Sequence, residues 1–267
     1  MDKFKSNFWI VFALIGFLFI GWGLHQIFVI PTYTDHWAWL STGDPEIWDY
    51  IKGRFQNHGV WTAANGLFIL IVALTGLRNQ ERWAWLTLAY VPVHILLLTI
   101  HFYWLFFITI PLMLITVWAL WASRPHLSPS LSNRRCMGWL IVFVIGLLFL
   151  YFAYDNVFVI PALDVRDPNR GWDWLTTDHE IIDYIKFYFR IYGIRVFGFA
   201  VMTLLTTFYG LREGYRSAWN VLWLMPILLL IHILLWPWLT PLLLGFALFS
   251  GLGIWLAYPK AMAIENG

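Results

Sequence analysis

The chain is written as long apolar runs, and their length constrains the fold more than any other feature. Residues 10–24, IVFALIGFLFIGWGL, hold no charge and do not alternate in polarity. About 20 apolar residues span a bilayer core. Backbone groups in lipid must be satisfied internally, which leaves helices or closed barrels. Barrel strands alternate over about ten residues, and these runs do not, so transmembrane helices are expected. The chain is 60% hydrophobic and 12% charged, whereas soluble domains are about 25% charged.

Eight runs are expected as spans, at roughly 8–30, 60–77, 83–101, 103–122, 138–160, 194–210, 218–235 and 238–257, with ends soft by about 2–4 residues. The first follows MDKFKSN and lacks a small-residue cleavage site, so it reads as a retained helix rather than a signal peptide. Tryptophan and tyrosine crowd the ends of the runs, where amphipathic rings prefer the headgroup layer. A net charge of +2 gives no footing for nucleic acid. Cys136 is the only cysteine, which excludes an intramolecular disulfide and a multi-cysteine metal site.

The same text occurs twice. IFVIP at 27–31 answers VFVIP at 157–161, and TGLR at 75–78 answers YGLR at 209–212. DPEIWDYIKGRFQNHG at 44–59 answers DHEIIDYIKFYFRIYG at 178–193. Trp85 matches Trp219, and Pro92 matches Pro226. The offset is 134 from Asp44 onward, as in Asp44 to Asp178, and 130 before it, as in Ile27 to Val157. Extra residues around DVRDPNR account for the change. The reading is a tandem duplication: a four-helix repeat at 1–123, a polar linker at 124–137, and a second four-helix repeat at 138–267. An even number of spans per half makes the repeat parallel. The expected fold is therefore all-α and integral to the membrane, with eight transmembrane helices in two parallel-repeat four-helix bundles.

Basic residues set orientation. Lys3, Lys5, Arg78, Arg82, Arg124, Arg134, Arg135, Arg212, Arg216 and Lys260 share one side with only Asp2, Glu81, Glu213 and Glu265. Both termini are therefore expected in the cytoplasm, in a bacterial-type inner membrane. The repeated charged segment then falls outside. Asp44 before Pro45 suits a helix start, and Thr177 with Glu180 has capping-box spacing. Ile47, Trp48, Ile51 and Phe55 form one stripe, repeated by Ile181, Ile182, Ile185 and Phe189. A short interfacial helix is expected in each half, either sealing the bundle or covering a pocket.

Ionisable groups within spans are costly and face the bundle interior. Here they fall in the outer half: His25, His94, His101, Asp155, Arg195 and His232, together with Asn65. The inner half is expected to be almost purely apolar. Two readings remain open, a buried polar knot fixing helix register and an outward ligand pocket. In the second, His25, Asn65, His101 and Arg195 are the ligand-binding candidates. Asp155, His94 and His232 are the acid–base candidates, since histidine titrates near neutrality. Asp155 is expected to pair with a histidine or Arg195. A metal or haem has weaker support: no HxxxH or HExxH spacing occurs, and His94 and His232 differ by about one turn. No cofactor is expected. His36, His58, His126 and His179 read as exposed or interfacial and receive no role. GxSxG, Walker A, GxGxxG and CxxC signatures are absent.

Through DYIKFYFRIYG at 183–193 and YGLR at 209–212, each half resembles the DoxX-like group of small four-helix membrane proteins. The first half departs at His58-Gly59 and lacks an arginine matching Arg190. The resemblance implies four-helix units and some association with oxidoreductase systems. The residues themselves favour binding of a small amphipathic or lipid-like ligand in the outward pocket. The alternative is a non-catalytic accessory subunit of a larger respiratory or photosynthetic membrane complex, and a transporter ranks third. Expected partners are membrane lipids and, in the alternative, the other subunits of such a complex.

Overall fold

A computed structural model of the chain describes residues 7–32, 45–102, 106–123, 137–162, 179–235 and 240–258. The linker at 124–136, the extra loop residues around DVRDPNR, His36, His126 and the cap candidates Asp44 and Thr177 lie outside the described residues. Every regular element among the described residues is helical. The α-helices are α1 (Trp9–Phe28), α2 (Pro45–Val72), α3 (Arg82–Leu88), α4 (Val91–His101), α5 (Phe106–Ala122), α6 (Gly138–Tyr154), α7 (His179–Thr206), α8 (Arg216–Leu222), α9 (Leu224–Leu235) and α10 (Thr240–Leu256). Six helical stretches among the described residues are long and apolar enough to cross a membrane. Phe106–Ala122 and Pro241–Leu256 are shorter apolar helices. The chain is a helical, multi-pass membrane protein.

Two helices organise the rest. α2 and α7 have 28 residues each, about 42 Å at 1.5 Å per residue. They pack against each other along a seam. The end at which both begin is called the top here, and the end at which both finish the bottom. α1 lies along α2, and α6 lies along α7. α4 packs on α7 and α9 on α2, so each half sends a helix to the long helix of the other. One apolar core, from Phe12 and Trp83 to Phe199 and Ile254, runs through both halves.

α1 and α2 make a close backbone approach. A Cβ on Gly23 would stand 2.5 Å from the Gly59 carbonyl oxygen, and one on Gly59 would stand 2.5 Å from that of Gly23. Only glycine at both positions lets the two helices lie this close.

The bottoms of α2 and α7 close alike. Each ends in a five-residue π-helical turn, Ala73–Leu77 and Thr207–Leu211. The chain then reverses at Gln80 (φ 57°) and Gly214 (φ 85°), both left-handed. Glu81 N–H donates to Gly76 O and Tyr215 N–H to Gly210 O, which satisfies carbonyls left open at the helix ends. Trp85 Nε1 then donates to Leu120 O at 2.9 Å, tying α3 to the end of α5. Trp219 Nε1 donates to Ile254 O at 2.7 Å, tying α8 to the end of α10.

The tops correct an expectation. The charged segments at 44–59 and 178–193 do not form separate interfacial helices: their described parts are the first halves of α2 and α7. The reason is tertiary. Ile51 and Phe55 bury against Ile181, Ile182, Ile185 and Phe189 in a second apolar cluster, distinct from the main core. Each stripe has the other segment to pack on, so neither needs to lie on a lipid surface.

Candidate functional site

The top of the α2–α7 seam holds a group of polar side chains. His58, Trp61 and Asn65 share one face of α2, at spacings of three and four. Tyr188, Tyr192 and Arg195 share the facing side of α7 by the same rule. Asn65 Nδ2 donates to Arg195 O at 2.9 Å and to Trp61 O at 2.9 Å, which joins the helices. Trp61 Nε1 donates to the Tyr192 hydroxyl at 3.0 Å.

Histidines from the crossing helices complete the group. His94 of α4 leans on α7 at Gly198, where a Cβ would lie 2.5 Å from its Cε1 and 2.6 Å from its Nδ1. His232 of α9 packs on α2, its ring 4.9 Å from that of Trp61. Its Nδ1 donates to Leu228 O at 2.9 Å. The Asn57 Oδ1 lies 2.8 Å from Nε2.

What distinguishes the group is how much of it is unsatisfied. His58 is 1% exposed, and neither ring nitrogen has a hydrogen-bond partner. The same holds for both nitrogens of His94, 2% exposed. Arg195 is 3% exposed with Nε and Nη1 unpartnered. The Asn65 carbonyl oxygen and the Tyr90 hydroxyl are also without partners. A buried polar group left unpaired costs about 1–3 kcal/mol, and native proteins keep few of them. Arg195 is close enough for its charge to act on His58, His94 and Tyr188.

A cleft opens beside this group between the two helix tops. It is shallow, and is lined by Ile51, Arg54, Phe55 and His58 from α2 and by Tyr184, Ile185, Tyr188 and Phe189 from α7. Isoleucine and phenylalanine make half of its lining. Arg54 stacks over the Phe189 ring at 4.1 Å, and the Tyr184 hydroxyl donates to that of Tyr188 at 2.9 Å. The His58 ring stands 5.1 Å from Tyr188 and 5.6 Å from Tyr192.

The residues singled out from sequence divide. Asn65, Arg195, His94 and His232 stand on or beside the seam. His25 and Asp155 do not join them: both are half-buried near the ends of α1 and α6, and His25 stacks on the exposed Trp22 at 5.3 Å. Among the described residues the Asp155 carboxylate forms no ion pair or hydrogen bond with a histidine or Arg195. The inward-facing residue is its neighbour in each helix. Gln26 is buried and accepts from Thr62 Oγ1 at 3.2 Å, and Asn156 is buried with Nδ2 donating to Phe152 O at 2.8 Å. His101 is half-buried at the end of α4, its Nδ1 donating to Leu97 O at 3.0 Å. Among the described residues Asp155, His94 and His232 share no hydrogen bond. His58, read from sequence as exposed, is among the most buried polar residues. The missed signal is its place on the stripe Ile51, Phe55, His58, which carries an apolar face straight into the span.

The bottom of the seam corrects the expectation of an apolar inner half. Thr87, Thr203, Thr206 and Thr207 are buried there. The Thr87 and Thr206 hydroxyls are 3.2 Å apart, and Thr207 Oγ1 donates to Thr203 O at 2.7 Å. Below them Glu81, from the first half, accepts hydrogen bonds from Trp83 Nε1 and from the Ser217 hydroxyl of the second. Burial pushes the Glu81 carboxyl above its ordinary value, and the bonds from Ser217 and Trp83 pull against it.

Among the described residues no three histidine, cysteine or acidic side chains gather as metal ligands. No family model, no curated protein and no solved structure matches the chain.

Proposed function

We propose that the chain binds a small amphipathic ligand at the top of the α2–α7 seam. The observation that carries this reading is His58: an imidazole with two unpartnered nitrogens, buried at an apolar cleft beside a buried arginine. Such a group is costly alone and favourable once a ligand satisfies it. An apolar-walled cleft with a few convergent polar groups is the usual form of a small-molecule site. The apolar part of the ligand lies along Ile51, Phe55, Ile185 and Phe189, and its head reaches His58.

The site takes its place in a larger reading of the chain. α5 and α10, 17 residues each, are about 25 Å long and fall within the range of short spans, giving eight crossings in all. Matched sequence at offsets of 130 and 134 supports two parallel four-helix repeats, at 1–123 and 138–267. The asymmetry of basic residues supports cytoplasmic termini in an inner membrane and a cleft that opens outward.

The test is what copurifies. Wild-type chain extracted from membranes should carry a bound small molecule, detected by mass spectrometry of the solvent extract, in near-stoichiometric amount. His58→Phe should lose most of it. Equal content in both proteins would overturn the site. Comigration of the wild-type chain with a large membrane complex would support the accessory-subunit reading instead.

A further inference from the structure

Resting on that reading, we infer that the ligand's head is an anion and that Arg195 is its counter-ion. Arg195 is a guanidinium 3% exposed, and among the described residues no carboxylate bonds to it. Nε and Nη1 are both unpartnered. A buried charge is normally paired, since removing it from water unpaired costs several kcal/mol. Among the described residues no acid is buried at the helix tops. Arg54 also lines the cleft, and the described acids at the helix tops, Asp49, Glu180 and Asp183, are exposed. The unpartnered Nε and Nη1 of Arg195 are donors only, and each imidazole adds an N–H, so the group favours a head that accepts. A carboxylate or phosphate fits, because it takes two N–H groups of one guanidinium side by side. An ammonium head would meet like charge. The apolar walls above Arg195 make an acyl or alkyl chain the natural extension of such a head.

The experiment uses the full chain in neutral detergent and native mass spectrometry, which resolves each bound adduct. The probes are dodecanoate, dodecyl phosphate, monododecanoylglycerol, dodecyltrimethylammonium and inorganic phosphate. Dodecanoate or dodecyl phosphate should bind one-to-one, and at least about tenfold more tightly than the neutral or cationic twelve-carbon probes. Arg195→Gln should erase that preference while leaving the weak neutral binding in place. Arg195→Lys, which keeps the charge and controls for folding, should restore part of it. Equal binding of anionic and neutral probes to the wild type would overturn the anion, and the ligand site would stand. So would an unchanged preference in a folded Arg195→Gln protein. Absence of any one-to-one adduct would overturn the ligand site and this inference together. Inorganic phosphate should bind at least about tenfold more weakly than dodecyl phosphate. Equal binding of these two would keep the anion and overturn the amphipathic ligand.

Discussion

The two ends of the α2–α7 seam carry buried polar groups in opposite conditions. At the bottom they are largely matched: Thr87 faces Thr206, Thr207 bonds back to Thr203, and Glu81 takes Trp83 and Ser217 together. Thr203 Oγ1 is the exception. At the top His58, His94 and Arg195 are buried to the same degree and left open. Satisfied groups hold helices in register. Unsatisfied ones weaken the empty protein and favour whatever fills them. The bottom is therefore built for structure, and the top for occupancy.

Substitutions should separate the ends in a definite order. Gly198→Val should be the most damaging, because its side chain enters the space of the His94 ring, 2.5 Å from a Cβ. A loss of about 1–3 kcal/mol is expected, read as a lower melting temperature, together with lost ligand. His58→Phe should do the reverse to stability. An apolar ring among Phe55, Tyr188 and Tyr192 removes two unpaired nitrogens. The ligand-free chain should gain about 1 kcal/mol while ligand content falls. A loss of both stability and ligand would mean that the imidazole is satisfied in the empty protein, and the contrast between the ends would fail.

Thr206→Val should cost about 1 kcal/mol by leaving Thr87 unpaired, with ligand content unchanged. The double change Thr87→Val with Thr206→Val should recover most of that loss. The smallest effect belongs to Glu81. Its folded pKa lies above the ordinary 4.5, so its stabilisation is fully present below that value and is lost as pH rises through the raised one. Melting temperature should therefore fall across that window in the wild type. In Glu81→Gln, whose amide oxygen still accepts from Trp83 and Ser217, the fall should be shallower. Identical pH profiles would show that the carboxyl is not held in this way.

Much of the fold was legible because apolar run length and helix-ending Gly-Leu-Arg act locally. The stretches around α1, α4, α6 and α9 follow from composition alone. The continuity of α2 was not legible, since the charged text at 44–59 suits an interface until Ile185 and Phe189 arrive from the other half. The same holds for His58. It sits in FQNHG, a polar stretch, and owes its burial to Tyr188 and Tyr192, more than a hundred residues away. Arg195, His94 and Asn65 were legible as costly residues in apolar runs. Asp155 and His25 stood at plausible depth but are only half-buried. One residue of rotation, to Asn156 and Gln26, decides which side chain enters the bundle. Depth can be counted along a sequence, whereas the facing direction at a helix end depends on how the turn closes, as in the π-helical turn Asp155–Val159.

The most direct measurement is an experimental density map of the full chain prepared with dodecanoate. Non-protein density is predicted at the top of the seam, its head within about 3 Å of the Arg195 guanidinium and the His58 ring, its tail along Phe55 and Phe189. A map in which those nitrogens bond to protein groups or water, with the seam closed or the probe seated elsewhere, would contradict the account.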